Sequence, residues 1–215
     1  MNLLLHLHKD KIDSLGYDTI YLEQPVPDIA KNINWKNILN TPPSNNSNTT
    51  LKELKLISSA TQNRTQQEKE LVLNIDKDID TPYMLLCKQY GLDYPTEHIE
   101  EFYSIIKPML LNAKSYWNRP RPAQLAPYFG IKIDVLVTDT HHTAAYPSGH
   151  TVYSNLAALI LKDLYPQIDS FKLDSLVKQT AKARILQGVH YPSDNAASIT
   201  FSRYIYQNLK QYFRR

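Results

Sequence analysis

The residues best suited to chemistry fall in three short runs between positions 114 and 194. Lys114 is followed by Arg121 and Pro122, the tetrapeptide Pro147-Ser148-Gly149-His150 opens a strongly apolar stretch, and Arg184, His190 and Asp194 close the series. Lysine supplies a compact point charge, and arginine a rigid, always-charged fork that binds a phosphate-like anion through paired hydrogen bonds. A helix start carries unpaired backbone N–H groups and the positive end of its dipole, so it attracts an oxyanion. Gly149 lets a ligand approach that backbone, the Ser148 hydroxyl adds a donor, and His150 on the first turn faces whatever binds there. A carboxylate at Asp194 can accept a hydrogen bond from His190 Nδ1–H. That fixes the tautomer and leaves Nε2 as a nucleophile.

Taken singly, each run has a plainer reading. Lys114 and Arg121 could mark a solvated helix end, Ser148 a cap beside an exposed histidine, and Asp194 a carboxylate stabilising its own helix start. Together they read Lys-x6-Arg-Pro, Pro-Ser-Gly-His and Arg-x5-His-x3-Asp, in that order. This resembles the signature of the type 2 phosphatidic acid phosphatase superfamily, and the chain resembles its soluble branch, the bacterial class A non-specific acid phosphatases. Membrane lipid phosphatases and vanadium-dependent haloperoxidases are relatives.

The resemblance implies an all-α, single-domain helical bundle and a phosphatase acting on phosphomonoesters without a metal. His190 would attack phosphorus in line and form a phosphohistidine. Lys114, Arg121, Arg184, the Gly149 N–H and the Ser148 hydroxyl would stabilise the equatorial oxygens. His150 would protonate the leaving alkoxide, help that is typically worth ~10²–10⁴ in rate, and then help activate water. Asp194 would orient His190. No cofactor is implied, and vanadate is expected to bind as a phosphate analogue. One departure is visible: Ala183 stands where the family usually has serine before the arginine, which bears on how Arg184 is positioned.

These groups need helix ends to hold them. Leu51, Leu54 and Ile57, then Leu71 and Ile75, recur at helical steps, so the helical domain is expected over 51–215, preceded by an irregular segment at 1–50 packed on it. A helix over 96–118 carries the stripe Ile99, Phe102, Ile106, Leu110, Ala113 and Trp117, kinked at Pro108 and stopped by Pro120 and Pro122. Residues 123–148 read as a loop with an extended piece at 135–137. Further helices run from Gly149, capped by Ser148, to Pro166, from 171 to 187 before Gly188, and from Pro192 onward.

Composition sets the bounds. The chain has 215 residues, a net charge of +3, five glycines and thirteen prolines, which suits helices joined by proline-marked loops. No basic run argues for nucleic acid, and the single cysteine, Cys87, excludes an internal disulfide. No stretch approaches the ~18 apolar residues of a membrane span. The patch at 3–5, followed by His6, His8 and Lys9, is too short for a leader core, so the chain reads as soluble and cytoplasmic, with export left open. The expected partner is a small phosphorylated substrate, with no nucleic acid and no integral membrane segment. A homo-oligomer is left open. The rival readings are a vanadate-dependent haloperoxidase, a lipid phosphatase at the membrane surface, and an inactive phosphate binder. Leaving-group preference is expected to rest on loop 123–146, with Tyr116, Trp117, His141 and His142 as further candidates and the two histidines read as solvent-exposed.

Overall fold

The computed structural model describes residues 11–17 and 23–213, so the patch at 3–5 with His6 and His8 lies outside it. The longer helices, numbered in chain order, are α1 (Asn48–Gln62), α2 (Gln66–Lys77), α3 (Thr81–Gln89), α4 (Thr96–Trp117), α5 (Gly149–Leu164), α6 (Ser170–Leu186) and α7 (Pro192–Leu209). No strand occurs among the described residues, and the all-helical expectation holds.

Local chemistry explains the boundaries. Thr65 starts α2 with a reciprocal cap: its hydroxyl accepts from Glu68 N, and the Glu68 carboxylate accepts from Thr65 N. Helix α4 runs through Pro108 as one element and ends where Asn118 turns left-handed, φ 40°. Gly188 ends α6 at φ 86°, a conformation only glycine adopts without strain, and a Cβ there would meet Ile133 at 2.9 Å. Helix α3 went unforeseen. Asp80 at its N-cap position and Pro82 in its first turn are start signals, but its apolar face is too short to show a period.

Helix α5 lies at the centre. Val152, Leu156, Ala157, Ile160 and Leu161 are buried in one cluster with Ile99, Phe102, Ile106 and Met109 of α4 and Phe201 and Ile205 of α7. Each of the larger side chains contributes about 1.5–3 kcal/mol by leaving water. Against α7, α5 also makes a seam of small polar groups. Ser148 N donates to Ser198 Oγ at 2.8 Å, Thr151 Oγ1 to Asn195 Oδ1 at 2.8 Å, and Asn155 Nδ2 to Ser202 Oγ at 2.8 Å. Such a seam lets the helices approach closely and fixes their register, as apolar side chains alone would not.

The stretch expected as a loop begins with single helical turns at Pro122–Leu125 and Ala126–Phe129. Its apolar piece at 135–137 is no strand: Val137 is 81% exposed, and Leu136 N donates to Gln187 O. Arg64 clamps the segment to the end of α6, donating to the carbonyls of Asp134 and Leu186 while pairing with the Asp134 carboxylate at 2.9 Å. A cation over the last carbonyls of α6 also suits that helix's dipole. Upstream of α1, Ile12, Ala30 and Leu39 are buried against the bundle.

Candidate active site

Lys114 sits on the last turn of α4, buried to 4% exposure, with Nζ donating to Ala144 O at 2.6 Å. The turn at Asn118 then launches the Arg119-Pro120-Arg121-Pro122 segment back over the bundle. Arg121 is fixed on several sides: its Nε donates to Thr143 O at 2.8 Å, and its Nη1 donates to Val189 O at 2.7 Å and to His190 Nε2 at 2.9 Å. Because arginine only donates, His190 Nε2 must be the acceptor. Lys114, Arg121, Gly149, His150 and His190 line one cavity of about 260 Å³. Ser148, Arg184 and Asp194 stand behind its wall. The Ser148 hydroxyl faces its own helix, accepting from Thr151 N at 3.5 Å and Thr151 Oγ1 at 3.2 Å.

Behind His190 lies a buried network of hydrogen bonds and ion pairs. His190 Nδ1 donates to Asp194 Oδ2 at 3.1 Å, and Tyr191 N donates to the same oxygen at 2.9 Å. Asp194 therefore does both things the sequence left open: it orients the imidazole and stabilises the start of α7. Arg119, with its side chain 1% exposed, pairs with Asp194 Oδ1 at 2.6 Å and with Glu53 Oε2 of α1 at 3.2 Å. Glu53 also accepts from Ser193 N at 2.6 Å and Ser193 Oγ at 2.9 Å. The Arg119 guanidinium lies 3.8 Å from the Tyr191 ring centroid, a cation–π contact. Burial pushes the Asp194 carboxyl above its usual range, against the charge of Arg119 and the Tyr191 N–H.

In front of His190 the balance is different. One oxygen of Asp76, on the last turn of α2, accepts from Arg184 Nη1 at 2.6 Å and from the Thr140 hydroxyl, and lies 3.7 Å from His150 Nε2. Burial raises the Asp76 carboxyl, but the Thr140 and Arg184 hydrogen bonds outweigh it and hold it below its ordinary value. The bases are displaced toward neutrality. Burial and then Arg121 lower Lys114 well below the usual lysine range. Burial and then Arg184 push Arg121 down to about 10 and His150 down to about 3. Burial and then Arg121 lower His190 as well, which leaves its imidazole neutral. A pocket in which Lys114, Arg121, His150 and His190 resist charge is one that an entering anion stabilises strongly.

The outer part of the cavity is formed by Ile79, Tyr103, Lys107, Leu110, Leu111 and Tyr153, with Thr140 and Thr143 from the loop. Tyr103 and Tyr153 meet edge to face at 4.9 Å, and the Tyr153 hydroxyl is held by the Asp80 carboxylate at 2.9 Å. Loop 123–146 thus reaches the cavity as expected through Thr140 and Thr143, but two of the named aromatics do not. Tyr116 borders a different hollow with Trp35 and Lys36, and Trp117 does not line the cavity. His141, half-buried rather than solvent-exposed, stacks on the exposed His142 with centroids 5.3 Å apart.

The motif reading missed Glu53, Asp76, Arg119 and Thr140. A signal existed for Arg119: a second arginine on the proline-braced segment, beside one that already has a role. Nothing local flags Glu53 or Asp76, which reach the site only through packing of α1 and α2. Ala183 is buried with Val72, Ile75 and Leu186, so the absent serine leaves a helix-packing contact beside Arg184. Among the described residues, no group of three or more His, Cys, Asp or Glu side chains is placed to hold a metal ion, and no helix is long and apolar enough to cross a membrane.

A model of the PAP2 superfamily matches residues 102–215. The crystal structure of the first transmembrane PAP2 type phosphatidylglycerolphosphate phosphatase, from Bacillus subtilis, resembles this fold with a TM-score of 0.53 and 15% identity, covering 78% of this chain and 87% of that one. At that identity the likeness concerns the fold. No curated protein sequence matches the chain.

Proposed function

The chain belongs to the PAP2 superfamily and is phosphatase-like, and from that premise we propose that it hydrolyses phosphomonoesters through a phosphohistidine at His190, without a metal. The observation that carries this reading is the state of His190. Its Nδ1–H is committed to Asp194, and its Nε2 accepts from Arg121 at the edge of a cation-lined cavity.

In the first step the Nε2 lone pair bonds to phosphorus as the ester P–O bond breaks. Arg121 Nη1, which donates to Nε2, passes its hydrogen bond to a phosphoryl oxygen. Lys114, Arg184 and the Gly149 N–H bind the remaining charge, electrostatic stabilisation that counts most where water is excluded. His150, which takes up a proton as the bound substrate's negative charge raises it, gives that proton to the leaving oxygen, and the alcohol departs. In the second step neutral His150 takes a proton from water as its oxygen bonds to phosphorus and the P–N bond breaks. Inorganic phosphate is released, and His190 is regenerated. The imidazolium that His190 resembles while phosphorylated is balanced by Asp194, which Arg119 and Glu53 hold in place. The Ser148 hydroxyl contributes to the cap of α5, and the Gly149 N–H serves as the donor from that helix start.

The test is steady release of phosphate from p-nitrophenyl phosphate in EDTA, with His190→Ala abolishing turnover while orthovanadate still binds. Full turnover in His190→Ala would remove the nucleophile assignment. Oxidation of bromide by the vanadate-loaded protein with no ester cleavage would overturn the phosphatase reading in favour of a haloperoxidase.

A further inference from the structure

Asp76 has no part in the steps above, yet it stands among the groups that perform them. A single oxygen, Oδ1, accepts from Arg184 Nη1 at 2.6 Å and from the Thr140 hydroxyl, and lies 3.7 Å from His150 Nε2. Thr140 and His150 line the cavity, whereas Arg184 does not, and the Arg184 side chain is only 1% exposed. The Arg184 Nε, like those of Arg64 and Arg119, is buried with no partner among the described residues. So the cation best placed to close around an anion from the His150 side is already engaged by a carboxylate, and its fork is incompletely used.

From this geometry we infer that Asp76 is a resident counter-anion that competes with the phosphoryl group for Arg184 and so limits how tightly the pocket retains inorganic phosphate. The part of this inference that concerns turnover rests on the phosphatase reading; the part that concerns anion affinity does not. Lys114 and Arg121 in the cavity wall and Arg184 just behind it would grip substrate and product alike, and uniform grip slows release without speeding chemistry. A carboxylate at the rim of that cluster weakens the product complex. Asp194 cannot serve this purpose, because Arg119 pairs with it behind His190. Asp76 reaches the site from α2, outside the segment that carries the motifs. The site's anion affinity is therefore set partly by a helix that the motifs do not include.

Asp76→Asn keeps the size and one acceptor oxygen for Arg184 while removing the charge. Titration calorimetry with inorganic phosphate and with orthovanadate should show at least tenfold tighter binding in Asp76→Asn, and Asp76→Glu should return the affinity toward wild type. Pre-steady-state hydrolysis of p-nitrophenyl phosphate by Asp76→Asn should show a burst of p-nitrophenol followed by slower turnover, as phosphate release becomes limiting. Unchanged or weaker anion binding in Asp76→Asn would make the residue a scaffold and overturn the inference. An independent measurement uses the wild-type protein: orthovanadate should shift the Asp76 carboxyl carbon resonance as Arg184 is drawn away, and an unmoved signal counts against the proposal. If anion binding tightens but neither protein cleaves the ester, the phosphatase reading falls and the competition for Arg184 stands.

Discussion

The two faces of His190 are built on opposite principles. Behind the ring, Glu53, Arg119 and Asp194 form a dry network in which the two carboxylates and the guanidinium hold one another. In front, Lys114, Arg121 and His150 line a cavity with Arg184 behind its wall, Asp76 is the acidic partner at Arg184 and His150, and the bases are driven toward neutrality. The back pairs its opposite charges internally, and the front gathers like charges. Rigidity is wanted where an imidazole must keep its tautomer and aim. Electrostatic tension is wanted where a charged substrate should relieve it.

Breaking the back should cost most. Asp194→Asn removes the acceptor charge behind His190 and should lower kcat by roughly 10³–10⁴-fold, the scale seen when the carboxylate behind a catalytic histidine is amidated. A loss below tenfold would mean that the tautomer is fixed some other way. Arg119→Gln leaves Asp194 and Glu53 as uncompensated buried charges and should destabilise the fold by about 3–5 kcal/mol in urea denaturation. An unchanged midpoint would show the network to be dispensable.

The front should respond to ligand rather than to stability. Sulfate carries its full charge across the neutral range, so its binding isolates the protein's own protons. The negative charge should raise His150 from about 3, so that binding at pH 6 takes up protons. Calorimetric heats should then vary with the ionisation enthalpy of the buffer, and His150→Gln should reduce that dependence. Buffer-independent heats in the wild type would contradict this account. The smallest effect is expected at Ser148→Ala, because the hydroxyl faces Thr151 rather than the cavity. It should cost about 1 kcal/mol as a lost cap and less than tenfold in kcat/KM. A larger kinetic loss would return the hydroxyl to the phosphate.

The sequence made the site legible where chemistry sits at helix ends, because caps, prolines and a C-terminal glycine act over a few residues. Ser148 before α5, Gly188 after α6 and Pro192 opening α7 lie where local rules put them. What escaped was non-local. Glu53 and Asp76 lie on exposed-looking polar faces of α1 and α2, and only packing against the later helices turns them inward. Helix α3 was missed because nine residues hold too few turns to show a period. The lining tyrosines Tyr103 and Tyr153 were masked by the apolar stripes around them, which pack into the core whether or not a cavity adjoins.

Glu53, Arg64 and Asp76 also bear on modularity. The segment 102–215 holds the motif residues, but a support for His190, the clamp on the loop beside the cavity and the partner of Arg184 come from upstream, from α1, the turn after it and α2. Grafted onto another bundle, that segment would carry its nucleophile and its cations without the parts that aim the one and moderate the other. Exchange between relatives should therefore succeed by whole domain, with α1 and α2 travelling alongside the motifs they complete.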